Sequence, residues 1–225
     1  MRLLQENSLY VLLLLAAVCT CLWLLFLRRR LRMAWPVAIL LGLLHVVYGV
    51  ACVKAFAIME GSTAGAMSLF GAVFFMPFAY WIGARVTKRN TAEVFDIFAP
   101  CMIFTLFCAR INCLISGCCL GRMIPGLEPL RWPTREAELL FYAVFLAMLV
   151  PRVFKGKTIG QVYPLYMLSY GIVRCVLECF RVASTNRIFH LAHVWALLSL
   201  IFGFVIYSEI KRRHALYRTH GTGEK

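Results

Sequence analysis

The amino-acid sequence predicts an all-α, polytopic membrane protein with seven transmembrane helices. Hydrophobic residues make up 62% of the 225-residue chain, and its mean hydropathy of +0.78 lies far above the soluble range. Seven apolar stretches, most of them near the ~20 residues that cross a bilayer, are separated by short polar loops. We therefore expect a single transmembrane domain over residues 1–225.

The seven predicted spans follow one another closely. The first span ends at an Arg cluster, residues 28–32. This span lacks the preceding basic region and the cleavage site of a signal peptide, so we expect it to be retained. A second basic cluster follows the third span, Pro133 precedes the fifth, and a basic tail follows the seventh. The spans are about 9–27, 34–59, 66–84, 92–116, 134–151, 160–180 and 191–208.

Basic residues are divided unequally between the two sets of loops. Fifteen of the 24 Lys and Arg residues follow the odd-numbered spans, six lie on the other side, and three lie within spans. Because positive loops stay in the cytoplasm, we expect an external N-terminus and a cytoplasmic C-terminus. The net charge of +14 then reflects topology and contact with anionic lipids, so no nucleic-acid partner is predicted.

The outer end of the fourth span carries an unusual segment. It reads Arg110-Ile-Asn-Cys-Leu-Ile-Ser-Gly-Cys-Cys-Leu-Gly-Arg122. A guanidinium inside a bilayer must face protein, water or an anion, so Arg110 is a candidate functional residue. At 1.5 Å per residue it lies about 25 Å from the cytoplasmic start of its helix, in the outer half of the bilayer.

The sixth span places Tyr163, Tyr170, Arg174, Glu178 and Arg181 on one helical face. Arg174 lies about 21 Å from the cytoplasmic end of its span, so it can converge with the arginine of the fourth span. Two arginines at headgroup depth suit the phosphate of an anionic phospholipid, with Glu178 orienting one of them or handling a proton. The alternative is an Arg174–Glu178 ion pair that only holds the bundle together.

The start of the fifth helix supports two interpretations. Pro133 fits a helix start, and Thr134 is a candidate N-cap followed by an acidic first turn. Glu138, one turn further, faces either the bundle or the interface. It is then either a site residue or part of a solvated, capped helix start.

The ten cysteines lie mostly in apolar runs, where they serve as small packing residues. An oxidising outer compartment would allow a disulfide among Cys113, Cys118 and Cys119. Without a nearby histidine these three form a poor zinc site, so neither a metal nor another cofactor is predicted. His45 is expected to be a hydrogen-bonded packing residue, and His193 is the histidine nearest to the site.

These motifs resemble those of bacterial prolipoprotein diacylglyceryl transferases. The family has an arginine followed by a Gly/Asn-rich segment that ends in Gly-Arg, and residues 110–122 correspond to it. The family also has a helix that begins with Pro-Thr/Ser and carries a Glu in its first turns. Pro133, Thr134 and Glu138 correspond to that helix start. The most specific match is the family's Tyr-Gly-x-x-Arg-x-x-x-Glu-x-x-Arg helix, which is complete here. That helix supplies Tyr170, Gly171, Arg174, Glu178 and Arg181.

The resemblance implies transfer of diacylglyceryl from phosphatidylglycerol to the lipobox cysteine of a preprolipoprotein, at the outer face of the bacterial cytoplasmic membrane. The signal peptide of the acceptor and the donor lipid would be the partners. Arg110, Arg174 and Glu178 would be catalytic. The substrate-binding residues would be Asn112, Gly117, Cys118, Arg122, Thr134, Glu138, Tyr170 and Arg181.

The chain also departs from the family pattern. The family's histidine, often assigned as the base, is Phe70, and its acidic residue after the first arginine is Cys118. In the motif of the fifth helix, the family's His, Gln, Leu and Tyr are replaced in this chain by Trp132, Arg135, Glu136 and Ala137, respectively. Two other functions are therefore open: a non-catalytic lipid- or lipoprotein-binding relative, and a thiol-redox protein using the three clustered cysteines.

Overall fold

In the computed structural model the chain forms a bundle of seven α-helices over the described residues, which are 2–61, 66–156, 160–182 and 191–220. The all-α prediction is confirmed. Lys157, Arg187 and Lys225, which contributed to the loop-charge prediction, lie outside these ranges. The helices are α1 (Arg2–Leu27), α2 (Trp35–Met59), α3 (Phe70–Val86), α4 (Thr91–Ser116), α5 (Thr134–Phe154), α6 (Val162–Cys179) and α7 (Leu191–His220).

Five of these helices are long and apolar enough to cross a membrane: α1, α2, α4, α5 and α7. The third helix is shorter than expected, with 17 residues, because it begins at Phe70 instead of residue 66. The sixth carries Arg174 and Glu178 within its 18 residues. Large apolar side chains such as Leu22, Leu40 and Phe202 remain exposed on the outside of the bundle, as expected of a surface that faces lipid.

Helix α4 is the centre of the bundle. In its most apolar stretch 67% of residues are buried, against 22–33% in the other four long apolar helices. It packs on α1, α3, α5 and α6. The side chain of Asn90 caps its N-terminus by accepting from Ala92 N, and Gly117, in the left-handed conformation, ends it.

A buried aspartate that the sequence motifs did not single out joins α4 to the start of α6. Asp96 is fully buried, and its two oxygens accept hydrogen bonds from Gly160 N at 2.8 Å and Val162 N at 3.1 Å. Both donors lie at the N-terminal end of α6, where backbone N–H groups have no helical acceptor. The carboxylate therefore fixes the depth of α6 against the central helix.

Asp96→Ala is expected to destabilise the protein by about 1–3 kcal/mol for each N–H that loses its acceptor. Thermal unfolding in detergent measures the loss. The control is Glu93→Ala, one turn earlier on α4. Glu93 is part of a partly exposed ion pair with Arg30, so its loss should cost no more than ~1 kcal/mol. Equal unfolding temperatures for the two variants would contradict the anchoring role.

Candidate functional site

Two buried arginines from different helices meet on one carboxylate. Arg110 Nε of α4 lies 2.9 Å from Glu138 Oε1, and Arg174 Nη1 of α6 lies 3.2 Å from Glu138 Oε2. The side chains of Arg110, Arg174 and Glu138 are only 4%, 7% and 1% exposed. Glu138 therefore faces the bundle, and the interpretation of it as part of a solvated helix start was wrong.

The cluster continues along α6. Arg174 Nη2 lies 3.0 Å from Glu178 Oε2, and Arg181 Nη1 lies 3.4 Å from the same oxygen. Among the described residues, three guanidinium groups thus stand against two carboxylates, which leaves one net positive charge when all five are ionised. A charge of this kind inside a membrane protein needs a counter-anion to be stable.

Several polar atoms of this cluster are buried but unused. Within the described part of the chain, Arg174 Nε is buried and has no hydrogen-bond acceptor. The hydroxyls of Tyr170 and Thr134 are likewise buried without a partner there. Buried polar groups are normally paired, so donors that remain free in a cluster of arginines indicate a place for a ligand.

The helix start at Thr134 differs from the expectation. Pro133 occupies the N-cap position, and Thr134 is the first helical residue, with its side chain buried. Proline has no side-chain acceptor, so the helix lacks the cap that the sequence suggested. The prediction of Thr134 as an N-cap was wrong.

Aromatic rings surround the arginines. Arg174 lies over the ring of Phe70, 5.3 Å from its centroid, and Phe70 meets Tyr170 edge to face at 5.8 Å. Tyr142 donates to Glu138 Oε1 at 3.4 Å and stacks on Tyr170. Tyr142 was missed, although it lies four residues after Glu138 and hence on the same helical face.

A loop covers this end of the bundle. Residues 117–133 are held to the end of α6 by hydrogen bonds from Arg122 N to Phe180 O and from Val182 N to Leu120 O. Arg122 Nε also donates to Arg181 O at 2.8 Å, so the structure places Arg122 as a tie between loop and helix. Gly121 is required there, because a Cβ would lie 2.1 Å from Trp132 O.

The other expected site residues lie at the rim. Asn112 accepts a hydrogen bond from Ser8 of α1 at 2.8 Å, and Gly117 forms the left-handed turn after α4. Cys118 is exposed and accepts from Ser116 at 3.3 Å. His193 contacts Cys179, with its Nε2 at 3.6 Å from Cys179 Sγ.

Three cysteine sulfurs lie next to the arginine cluster. The Sγ atoms of Cys113, Cys118 and Cys119 are within 4.8 Å of one another, and Arg110 Nη1 lies 3.9 Å from Cys113 Sγ. The pKa of the Cys119 thiol is lowered to about 4, mainly because Cys113 donates a hydrogen bond to it. The positive charges of Arg181 and Arg110 lower this pKa further, whereas burial raises it. The surroundings therefore favour the ionised form of the Cys119 thiol.

A sizeable cavity lies away from this cluster. A space of about 670 Å³ opens between α2 and α3 at the opposite end of the bundle, lined mainly by apolar side chains and by His45, Tyr80, Arg32 and Arg89. The arginines that meet on Glu138 do not line it. His45 is buried against Tyr80 there, in keeping with its expected packing role.

Comparison with known proteins decides the family. The model of the family described as prolipoprotein diacylglyceryl transferase matches residues 7–208. The chain belongs to the prolipoprotein diacylglyceryl transferase family. The resemblance inferred from the sequence motifs is therefore confirmed, and the protein is a multi-pass membrane protein of a transferase family.

Curated relatives carry the name phosphatidylglycerol–prolipoprotein diacylglyceryl transferase. One from Dehalococcoides mccartyi is 26% identical over 171 residues, which are 66% of this chain and 64% of the relative. One from Idiomarina loihiensis is 29% identical over 127 residues, 52% of this chain and 48% of the relative. One from Yersinia pestis is 26% identical over 151 residues, 52% of each. These matches span between about half and two thirds of the relatives' length.

Proposed function

We propose that this protein transfers the diacylglyceryl group of phosphatidylglycerol to the cysteine thiol in the lipobox of a preprolipoprotein. The reaction would take place at the outer leaflet of the bacterial cytoplasmic membrane, with the signal peptide of the acceptor held beside the donor lipid. The names of the curated relatives support this choice of donor and acceptor.

One observation carries the proposal: two buried arginines on different helices share Glu138, and Arg174 Nε has no acceptor among the described residues. The cluster has one net positive charge, and the phosphodiester of phosphatidylglycerol has one negative charge. Arg110 and Arg174 would hold the phosphate oxygens through paired N–H groups, a geometry to which guanidinium is well suited.

The same contacts suit the chemical step. The acceptor sulfur would form a bond to the glyceryl carbon as the carbon–oxygen bond to phosphate breaks, and glycerol phosphate would leave with the electron pair. The leaving phosphate gains a second negative charge. Guanidinium donors placed at that oxygen stabilise the transition state more than the ground state. Glu178 and Glu138 would keep the two arginines aimed at the phosphate.

A second function is favoured by Phe70. This buried ring lies against Arg174, at the position where the resemblance implies the family's histidine, often assigned as the base, and phenylalanine cannot accept a proton. A relative of this kind would bind phosphatidylglycerol or a lipoprotein without catalysis.

A lipidation assay tests the proposal directly. The full-length protein in phosphatidylglycerol-containing nanodiscs is incubated with a lipobox peptide, and mass spectrometry follows the peptide. We expect a thioether-linked diacylglyceryl product on the cysteine and none on a matched Cys→Ser peptide. Specific binding of phosphatidylglycerol with no product over many hours would overturn the proposal and favour the non-catalytic relative.

A further inference from the structure

The three-cysteine cluster has the form of an incomplete metal site. Cys113 lies in the last turn of α4, and the left-handed turn at Gly117 brings Cys118 and Cys119 back towards it. Their sulfurs lie within 4.8 Å of one another. In a tetrahedral zinc–thiolate site the metal–sulfur distance of about 2.3 Å places the sulfurs roughly 3.8 Å apart. Side-chain rotations that bring the sulfurs about 1 Å closer would close the site.

We propose that Cys113, Cys118 and Cys119 bind one Zn²⁺ ion whose fourth position takes the sulfur of the acceptor cysteine, an inference that rests on the proposed function. Three protein ligands with one open position are typical of catalytic zinc. Cys118 and Cys119 are exposed while Cys113 is half-buried, so the open position faces away from the bundle, where a peptide can approach.

The charges around the cluster suit this site. A zinc ion with three thiolates has one net negative charge, and a fourth thiolate raises it to two. Arg110 Nη1 lies 3.9 Å from Cys113 Sγ. Arg135 Nη1 lies 3.5 Å from the backbone oxygens of both Cys113 and Cys118. These guanidinium groups compensate the negative charge that the complex would carry.

The zinc site would also provide a way to form the acceptor thiolate without a side-chain base. The acceptor thiol would bind zinc as a thiolate and release its proton to water. The thiolate would then form the carbon–sulfur bond to the glyceryl carbon while the carbon–oxygen bond breaks. Glycerol phosphate leaves as a dianion, so the reaction yields thioether, glycerol phosphate and one proton. Arg110 contacts both Cys113 and Glu138, so it links the cysteine cluster to the arginine cluster.

Metal binding is measured first and without turnover. The full-length protein, purified in detergent and stripped of metal, is titrated with Zn²⁺ and Co²⁺. We expect one ion per chain and thiolate-to-cobalt charge-transfer absorption. Cys118→Ser and Cys119→Ser should each weaken binding at least ~100-fold, since even the loss of an outer-shell partner costs 10–100-fold. Cys19→Ser, a half-buried cysteine of α1, should leave binding unchanged.

A second measurement uses the unaltered chain and does not depend on how variants fold. Zn²⁺ should protect the three cysteines from alkylation by N-ethylmaleimide, mapped by mass spectrometry, while Cys19 reacts as before. No zinc binding, or a disulfide among the three cysteines in protein purified without reductant, would overturn the inference.

The lipidation assay separates this inference from the proposed function. Chelation should abolish product formation while phosphatidylglycerol binding persists, and added Zn²⁺ should restore the rate. Full lipidation by metal-free protein would overturn the zinc site and leave the proposed function intact. One ion bound by the three cysteines without lipidation of any peptide would overturn the proposed function and the role of the metal in it.

Discussion

Arg110→Ala and Arg174→Ala are each expected to lower the rate of diacylglyceryl transfer at least ~100-fold. Each change removes a buried guanidinium that would bind the phosphate, and the loss of one preorganised donor to developing negative charge typically costs 10²–10³ in rate. It also removes the excess positive charge of the cluster around Glu138. Initial rates with phosphatidylglycerol nanodiscs and a lipobox peptide measure the effect.

One lysine substitution and one substitution of a distant arginine serve as controls for this test. Arg174→Lys keeps the charge but loses the planar set of donors, so it should fall between the alanine variant and the unaltered protein. Arg212→Ala changes an exposed ion pair with Glu209 on α7 and should leave the rate unchanged. An Arg174→Ala protein that folds and retains more than about a tenth of the rate would contradict the phosphate-binding role.

The same variants separate the three functional classes. A thiol-redox protein would lose activity with Cys118→Ser and Cys119→Ser but not with the arginine changes. A non-catalytic relative would lose phosphatidylglycerol binding with Arg110→Ala and show no turnover before or after it. A zinc-assisted transferase would lose turnover with both sets, but would lose lipid binding only with the arginine set.

The sequence predicts the bundle well because hydropathy and helix length are local properties. It also predicts that Arg110 and Arg174 lie at similar depth, since the rise per residue fixes how far each lies along its helix. The rotation of α5 about its own axis is different, because packing against α4 and α6 determines it. For that reason the sequence alone could not show whether Glu138 faces solvent or the two arginines, and Tyr142 was missed with it.

The cysteine cluster shows the same limit. Spacing along the chain gave no reason to expect a metal, because Cys113 lies apart from Cys118 and Cys119 and no histidine is nearby. What brings the sulfurs together is the direction in which the chain turns at Gly117, with φ of 70°. Motif spacing contains no information on that direction. Similarly, the contact of Asp96 with the start of α6 depends on tertiary packing.

Glu138→Ala is expected to give the largest loss of stability of any single change in the cluster, about 3–5 kcal/mol. Two buried guanidinium groups lose the carboxylate between them, and burial leaves them little water to replace it. The hydroxyl of Tyr142 loses its acceptor as well. For a chain of this size the loss corresponds to a fall in unfolding temperature of roughly 6–20 °C. Thermal unfolding in detergent provides the measurement.

Two comparisons test whether unpaired buried charge causes the loss of stability in Glu138→Ala. One substitutes a neighbouring glutamate, and the other adds an anionic lipid. Glu136→Ala changes a side chain that is 48% exposed in the first turn of the same helix, so its cost should stay within ~1 kcal/mol. Phosphatidylglycerol should raise the unfolding temperature of Glu138→Ala more than that of the unaltered protein, because its phosphate can take the position of the missing carboxylate. Equal losses for Glu138→Ala and Glu136→Ala would show that the bridge contributes no special stability.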